Sequence, residues 1–108
     1  MAEFVVGETV LLNFPFSNLA DSKKRLALVL AAFKDGDLLL ARITTRDRAE
    51  QHEARITAWQ EAGPLYPSVV RLHKIATLSS SLIEKKLGRL SINDWSSVAV
   101  LWPTLIRQ

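Results

Sequence analysis

Apolar residues fall into short runs separated by polar segments, a pattern typical of β-strands with short connections. The predicted strands are Thr9 to Phe14, Leu26 to Phe33, Leu38 to Thr45, Arg55 to Ala58, Ser68 to Leu78 and, from a pattern ambiguous between strand and helix, Leu82 to Leu90. Pro15 ends the first strand, and Asp35-Gly36-Asp37 predicts a hairpin turn between the second and third. The intervening segments are predicted as a polar loop at Phe16 to Arg25, an irregular connection at Trp59 to Pro67, and a turn of helix at Ser79 to Ser81.

One amphipathic helix is predicted at the carboxy-terminal end. Ser91 and Asp94 resemble a capping pair, and apolar side chains then recur at helical spacing, at Ile92, Trp95, Val98, Ala99 and Trp102. Pro103 is expected to end or kink this helix, because proline lacks an amide proton. The order of elements predicts a single, mainly β domain over residues 1–108, a small, strongly curved barrel with a covering helix.

The third predicted strand changes character along its length. Side chains alternate across a strand, so Leu38, Leu40, Arg42 and Thr44 share one face, which becomes polar at Arg42. Arg46 then continues the chain into solvent. The strand therefore leaves the core at its end, next to a polar loop of a length that is often functional.

Composition narrows the function only in part. The 108 residues are 48% hydrophobic and 23% charged, with a net charge of +3, which mildly favours a polyanionic partner but also fits a solvated surface. Cysteine is absent, which excludes disulfides, thiolate nucleophiles and zinc fingers, and no nucleotide-binding, zinc-protease or serine-hydrolase motif occurs. No membrane-length apolar run or secretory leader is found, so we expect a cytoplasmic protein.

The two histidines, His52 and His73, allow one chemical alternative. Histidine titrates near neutral pH, so the pair is a candidate acid and base for RNA cleavage. The simpler interpretations are a solvated His52 in a charged stretch and a His73 placed on a strand. Two histidines are also too few for a dedicated metal site unless carboxylates join them.

Four segments in order, GETVLLNFPFSN, KKRLALVL, LLLARITT and PSVVRLHKIATL, resemble the PemK/MazF family of toxins. The similarity runs from about Gly7 to the final helix. It implies an SH3-like, PemK-type β-barrel and a homodimeric endoribonuclease toxin of a toxin–antitoxin system. Such a toxin cleaves single-stranded RNA without a metal or other cofactor and is neutralised by a small antitoxin protein.

By position, the resemblance assigns catalytic roles to Arg25 and Thr44. The family reaction leaves a 2′,3′-cyclic phosphate, or its 3′-phosphate hydrolysis product, and a 5′-hydroxyl. Attack by the 2′-hydroxyl builds negative charge on the phosphate, which a guanidinium and a hydroxyl can stabilise as hydrogen-bond donors. Arginine is a poor base, because the guanidinium holds its proton far above neutral pH.

RNA contacts are expected along the first loop and the charged segment after Thr44. Basic and hydroxyl side chains there would contact the RNA backbone, and Phe16 would stack on a base. The candidates are Phe16, Ser17, Ser22, Lys23, Lys24, Thr45, Arg46, Arg48 and Lys74.

Three positions depart from the family pattern. Leu26 stands where the family usually has a proline after its arginine, Lys74 stands where some relatives have glutamine, and Pro103 interrupts the last helix. The missing proline keeps an alternative open: a catalytically weak or inactive binding module of the same fold, directed at RNA, an antitoxin or a gyrase-type protein target. The gyrase-directed toxins of this fold act through a carboxy-terminal tryptophan and glycine, whereas this chain ends Leu105-Ile106-Arg107-Gln108.

Overall fold

A computed structural model describes residues 3–13, 24–46 and 50–106. The strands are β1 (Glu8–Leu12), β2 (Arg25–Ala32), β3 (Asp37–Thr44), β4 (Glu53–Ile56), β5 (Ser68–Ser79) and β6 (Lys85–Arg89). The helices are a single turn, α1 (Trp59–Ala62), a 3-10 turn (Ser80–Leu82) and the longer α2 (Ile92–Leu105). The strands form one curled antiparallel sheet in the order β4-β5-β3-β2-β1-β6, so the predicted mainly β fold with a carboxy-terminal helix is confirmed.

The sheet is apolar on both faces at its centre. Ala27, Leu28 and Val29 of β2 have no exposed surface, as expected for a strand buried on both sides. Leu28 belongs to a core cluster that also contains Val98 of α2, whereas Ala27 and Val29 belong to a second cluster on the other face. Helix α2 therefore covers one face of the sheet only. The opposite face becomes polar towards one end of the sheet, and that end is available for a functional site.

A large irregularity in β5 sets the pairing of the polar end of the sheet. Ala41 pairs with Ile75, but the next residue, Arg42, pairs with Arg71. β5 thus advances four residues while β3 advances one, which leaves three residues, 72–74, bulging from the ladder. Bulges sharpen the local twist of a sheet, and this one brings β4 and the first part of β5 beside the end of β3.

Asp94 attaches the start of α2 to the turn after β4. The hydroxyl of Ser91 accepts a hydrogen bond from Asp94 N at 3.1 Å, which confirms the predicted cap. The buried Asp94 carboxylate accepts bonds from Thr57 N (3.0 Å), Thr57 Oγ1 (2.7 Å) and Ala58 N (2.9 Å). Burial acts to raise the pKa of Asp94, but the hydrogen bonds that Ala58 and Thr57 donate to its carboxylate lower it below its usual 3.8.

Two local expectations need correction. Pro103 was expected to end or kink α2, but it does not end the helix, which runs two residues further, to Leu105. Pro103 removes only one helical hydrogen bond so near the terminus, and Trp102 and Leu105 pack the last turn against the core. The connection predicted as irregular contains α1, which ends at Gly63 in the left-handed conformation, with φ of 113°.

Candidate active site

The two predicted catalytic residues lie at the adjoining ends of neighbouring strands. Leu26 pairs with Ile43, and continuing this antiparallel register by one residue sets Arg25, the first residue of β2, opposite Thr44, the last of β3. Directly opposed residues point to the same face, with Cβ atoms about 5 Å apart. That face is the one not covered by α2.

The same row continues into the next two strands. Thr44 pairs with Val69 of β5, and Val69 pairs with Arg55 of β4. Val69 is buried and Arg55 is exposed. Thr44 thus has the guanidinium of Arg25 on one side, on the adjacent strand β2. On its other side lies the guanidinium of Arg55, two strands away on β4.

A second polar row lies two residues further along the strands, roughly 7 Å away. Arg42 of β3 is directly opposite Arg71 of β5, which in turn pairs with Glu53 of β4. Arg71 Nε lies 3.5 Å from Glu53 Oε2, and the two side chains are 14% and 2% exposed. Like charges placed directly opposite each other destabilise a sheet, and Glu53 offsets this repulsion. The two rows together form a band with four guanidiniums and one carboxylate, which we call the arginine band: Arg25, Arg42, Arg55, Arg71 and Glu53.

The hydroxyl of Thr44 is oriented by the chain that follows it. Thr44 Oγ1 accepts a hydrogen bond from Arg46 N at 3.2 Å. A hydroxyl that accepts in this way keeps its own proton for donation. On the opposite strand, Arg25 is half-buried, and its Nη1 donates to the carbonyl oxygen of Lys24 at 3.2 Å.

The backbone of Arg25 is held in place although Leu26, and not proline, follows it. Arg25 is already a strand residue, paired with Leu12 of β1. A following proline would favour the same extended geometry, so sheet pairing replaces the constraint. The Leu26 side chain packs against the core cluster beneath α2.

The remaining predicted RNA contacts divide into three groups. Thr45 and Arg46 are exposed beside Thr44, and therefore adjoin the arginine band. Lys24 is paired with Glu84 at 2.9 Å, and Lys74 lies in the β5 bulge, away from the row of Arg25 and Thr44. The other five lie outside the described residues: Phe16, Ser17, Ser22, Lys23 and Arg48.

Sequence reasoning missed most of the arginine band. Arg42 was placed on the correct face without a role, while Arg55, Arg71 and Glu53 were not considered as site residues. A signal was present, because Arg55 and Arg71 each stand in a predicted strand. The pairing of β4 with β5, which brings them to one face, has no local signature in the sequence.

The two histidines lie together at the edge of the band. Their ring centroids are 3.8 Å apart, and His73 Nε2 is 3.4 Å from Arg71 Nη2. Burial, followed by the charges of His52, Arg71 and Lys74, lowers the pKa of His73, against the opposing effect of Glu53. A lowered pKa favours the neutral ring, which can accept a hydrogen bond from Arg71.

Neither a metal cluster nor a membrane span is found within residues 3–13, 24–46 and 50–106. No three side chains among their histidines, aspartates and glutamates come together as potential metal ligands. No helix in these segments is long and apolar enough to cross a membrane.

Residues 6–100 match the family of PemK-like, MazF-like toxins of type II toxin–antitoxin systems. The chain belongs to this family. The family predicted from four sequence segments is therefore confirmed over most of the chain. No curated protein matches the sequence.

Solved structures of the PemK/MazF type share the fold. An endoribonuclease from Mycobacterial species has a TM-score of 0.78 at 15% identity, with 99% of this chain and 94% of that chain covered. The Mycobacterium tuberculosis toxin MazF-mt6 gives a TM-score of 0.73 at 19% identity over 93% and 96% of the two chains. MazF in a MazE-MazF structure from Deinococcus radiodurans gives 0.74 at 20% identity over 95% of each. At these identities the similarity shows the fold alone.

Proposed function

We propose that this PemK/MazF family member is an endoribonuclease that cleaves single-stranded RNA at a phosphate held between Arg25 and Thr44. The observation that supports the proposal is the strand register: Leu26 pairs with Ile43, and Arg25 and Thr44 are the next residue of each strand, at the edge of the arginine band. A planar guanidinium and a hydroxyl on adjacent strands can both donate to one phosphate.

The proposed chemistry is metal-independent transesterification. The 2′-oxygen loses its proton to water and attacks the adjacent phosphorus, and the bond to the 5′-oxygen breaks as that oxygen takes a proton from water. Arg25 and Thr44 stabilise the charge that develops on the non-bridging oxygens, an effect worth about 10²- to 10³-fold per donor. Arg25 has this electrostatic role rather than that of a base.

The arginine band supplies affinity for the rest of the strand. Arg42 and Arg71 lie one row from Arg25 and Thr44, and so are placed for a neighbouring phosphate. Contacts of this kind release counterions, so binding should weaken steeply with salt. Arg55 extends the same positive surface to the edge of the sheet.

A small antitoxin protein is the second proposed partner. The fold is similar to that of an endoribonuclease in complex with its cognate antitoxin from Mycobacterial species, with a TM-score of 0.76 and 15% identity. An acidic antitoxin segment lying on the arginine band would compete with RNA for the same guanidiniums. We further propose that the toxin acts as a homodimer in the cytoplasm.

The test is to incubate purified protein with single-stranded RNA in EDTA. Wild type is expected to produce ends that carry a cyclic phosphate, and Arg25→Ala should reduce the rate by about 10²-fold or more. The matched control is Arg89→Ala, because Arg89 is an exposed arginine on β6, at the opposite edge of the sheet from β4. RNA that stays intact across many sequences, together with tight binding of RNA or antitoxin, would instead support the inactive binding module.

A further inference from the structure

A cavity of about 300 Å³ opens beside Thr44, where β3 and β4 end and β5 begins. It adjoins the row of the two proposed catalytic residues, because Val69 lines it and lies between Thr44 and Arg55 in the sheet. Thr45, the residue after Thr44, also lines it. A strand bound at Arg25 and Thr44 would therefore place its next nucleotide at the mouth of this cavity.

The cavity combines apolar walls with a small polar set. Trp59 and Pro67 provide apolar surface. Two of its hydroxyls already donate within the protein, Thr57 Oγ1 to Asp94 Oδ1 at 2.7 Å and Ser68 Oγ to the Tyr66 carbonyl oxygen at 2.8 Å. These hydrogen bonds hold the Thr57 and Ser68 side chains in place, while Thr45 and Arg55 line the cavity with exposed side chains.

We propose that this cavity binds the nucleobase adjacent to the cleaved phosphate and that Arg55 determines which base is accepted. This inference rests on the proposed ribonuclease function and adds the origin of its sequence preference. The volume of the cavity lies at the lower end of the range for ligand pockets, which suits one base. Unstacked bases of single-stranded RNA present their edges to proteins and rest on aromatic side chains.

The chemistry of Arg55 favours guanine. A guanidinium is the usual bidentate partner of guanine O6 and N7, whereas a glutamine amide matches adenine N6 and N7. Arg55 lies two strands from Thr44, on the far side of Val69, so it can contact a base without replacing Arg25 at the phosphate. Substitution of Arg55 should therefore change the sequence that is cleaved more than the chemical step.

A randomised single-stranded RNA library is incubated with wild type, Arg55→Gln or the control Arg89→Gln. The new ends are then sequenced. Wild type and the control are expected to prefer guanine at one position flanking the cut. Arg55→Gln should reduce that preference roughly tenfold and favour adenine there. Because Arg55 is exposed, the variant should fold, which circular dichroism checks.

The outcomes separate the two proposals. If wild type cleaves but Arg55→Gln keeps the same base preferences, the cavity proposal fails and the ribonuclease proposal stands. If wild type cleaves nothing, the ribonuclease proposal fails. Binding of oligonucleotides that differ at one base, by wild type and Arg55→Gln, then decides the cavity: a guanine preference lost in the variant supports it, and equal binding overturns it.

Discussion

Replacing Asp94 with asparagine should detach the start of α2 from the turn at Thr57 and Ala58, which lies beside the cavity proposed to bind a nucleobase. The carboxylate accepts three hydrogen bonds, two from Thr57 and one from Ala58. An asparagine has one acceptor oxygen, which can serve the two donors of Thr57. Its NH2 group then faces Ala58 N, so that two donors oppose each other.

The cost follows from these contacts. One charge-assisted hydrogen bond is lost, at about 2 kcal/mol, and the two that remain weaken by roughly 1 kcal/mol each because their acceptor is no longer charged. The sum is about 4 kcal/mol, a large part of the stability of a small domain. It corresponds to a fall of roughly 15 °C in melting temperature.

Thermal unfolding at neutral pH, with the exposed neighbour Asn93→Ala as control, measures this cost. The pH dependence gives an independent check. The folded pKa of Asp94 is lowered, so its contribution is full above the unfolded value and is lost as pH falls through the folded value. Asp94→Asn should remove that acid-sensitive part. A loss under about 1 kcal/mol, or an unchanged acid profile, would refute the reasoning.

Three further predictions follow from other contacts. Gly88→Ala would place a Cβ 2.6 Å from the Ala62 carbonyl oxygen and should lower the free energy of unfolding by about 1–3 kcal/mol in denaturant titrations. His73 has a lowered pKa, so stability should fall as pH drops below its ordinary 6.5; His73→Gln should flatten the melting temperature between about pH 7 and about pH 5. Arg42→Ala should reduce the slope of log affinity for single-stranded RNA against log salt by about 0.7 in binding titrations, and an unchanged slope would argue against a phosphate contact.

The elements that local pattern determines were predictable. The apolar run of β2 and the turn at Gly36, which has a positive φ of 93°, predict the central hairpin. Ser91 and Asp94 predict where α2 begins, because the capping contact lies within one helical turn. Arg25 and Thr44 were found through family resemblance, and their juxtaposition depends only on that hairpin.

The rest depends on register between segments that are distant in sequence. The irregularity in β5 sets Arg42 opposite Arg71, and no short motif predicts a three-residue shift. Strand β4 begins at Glu53, two residues before the predicted Arg55, because pairing with β5 extends it. The arginine band and the cavity both arise from this pairing, which explains why they appear only in the folded chain.

The claim that Arg25 and Thr44 hold one phosphate is tested most directly by a double-mutant cycle. Single-turnover cleavage of a single-stranded RNA in EDTA is measured for wild type, Arg25→Ala, Thr44→Val and the double variant. Each single change should slow cleavage by about 10²-fold or more. The loss of rate in the double variant should be smaller than the product of the two single losses, with a coupling free energy of about 1 kcal/mol or more. Strictly multiplicative losses, or a Thr44→Val variant as fast as wild type, would contradict a shared phosphate.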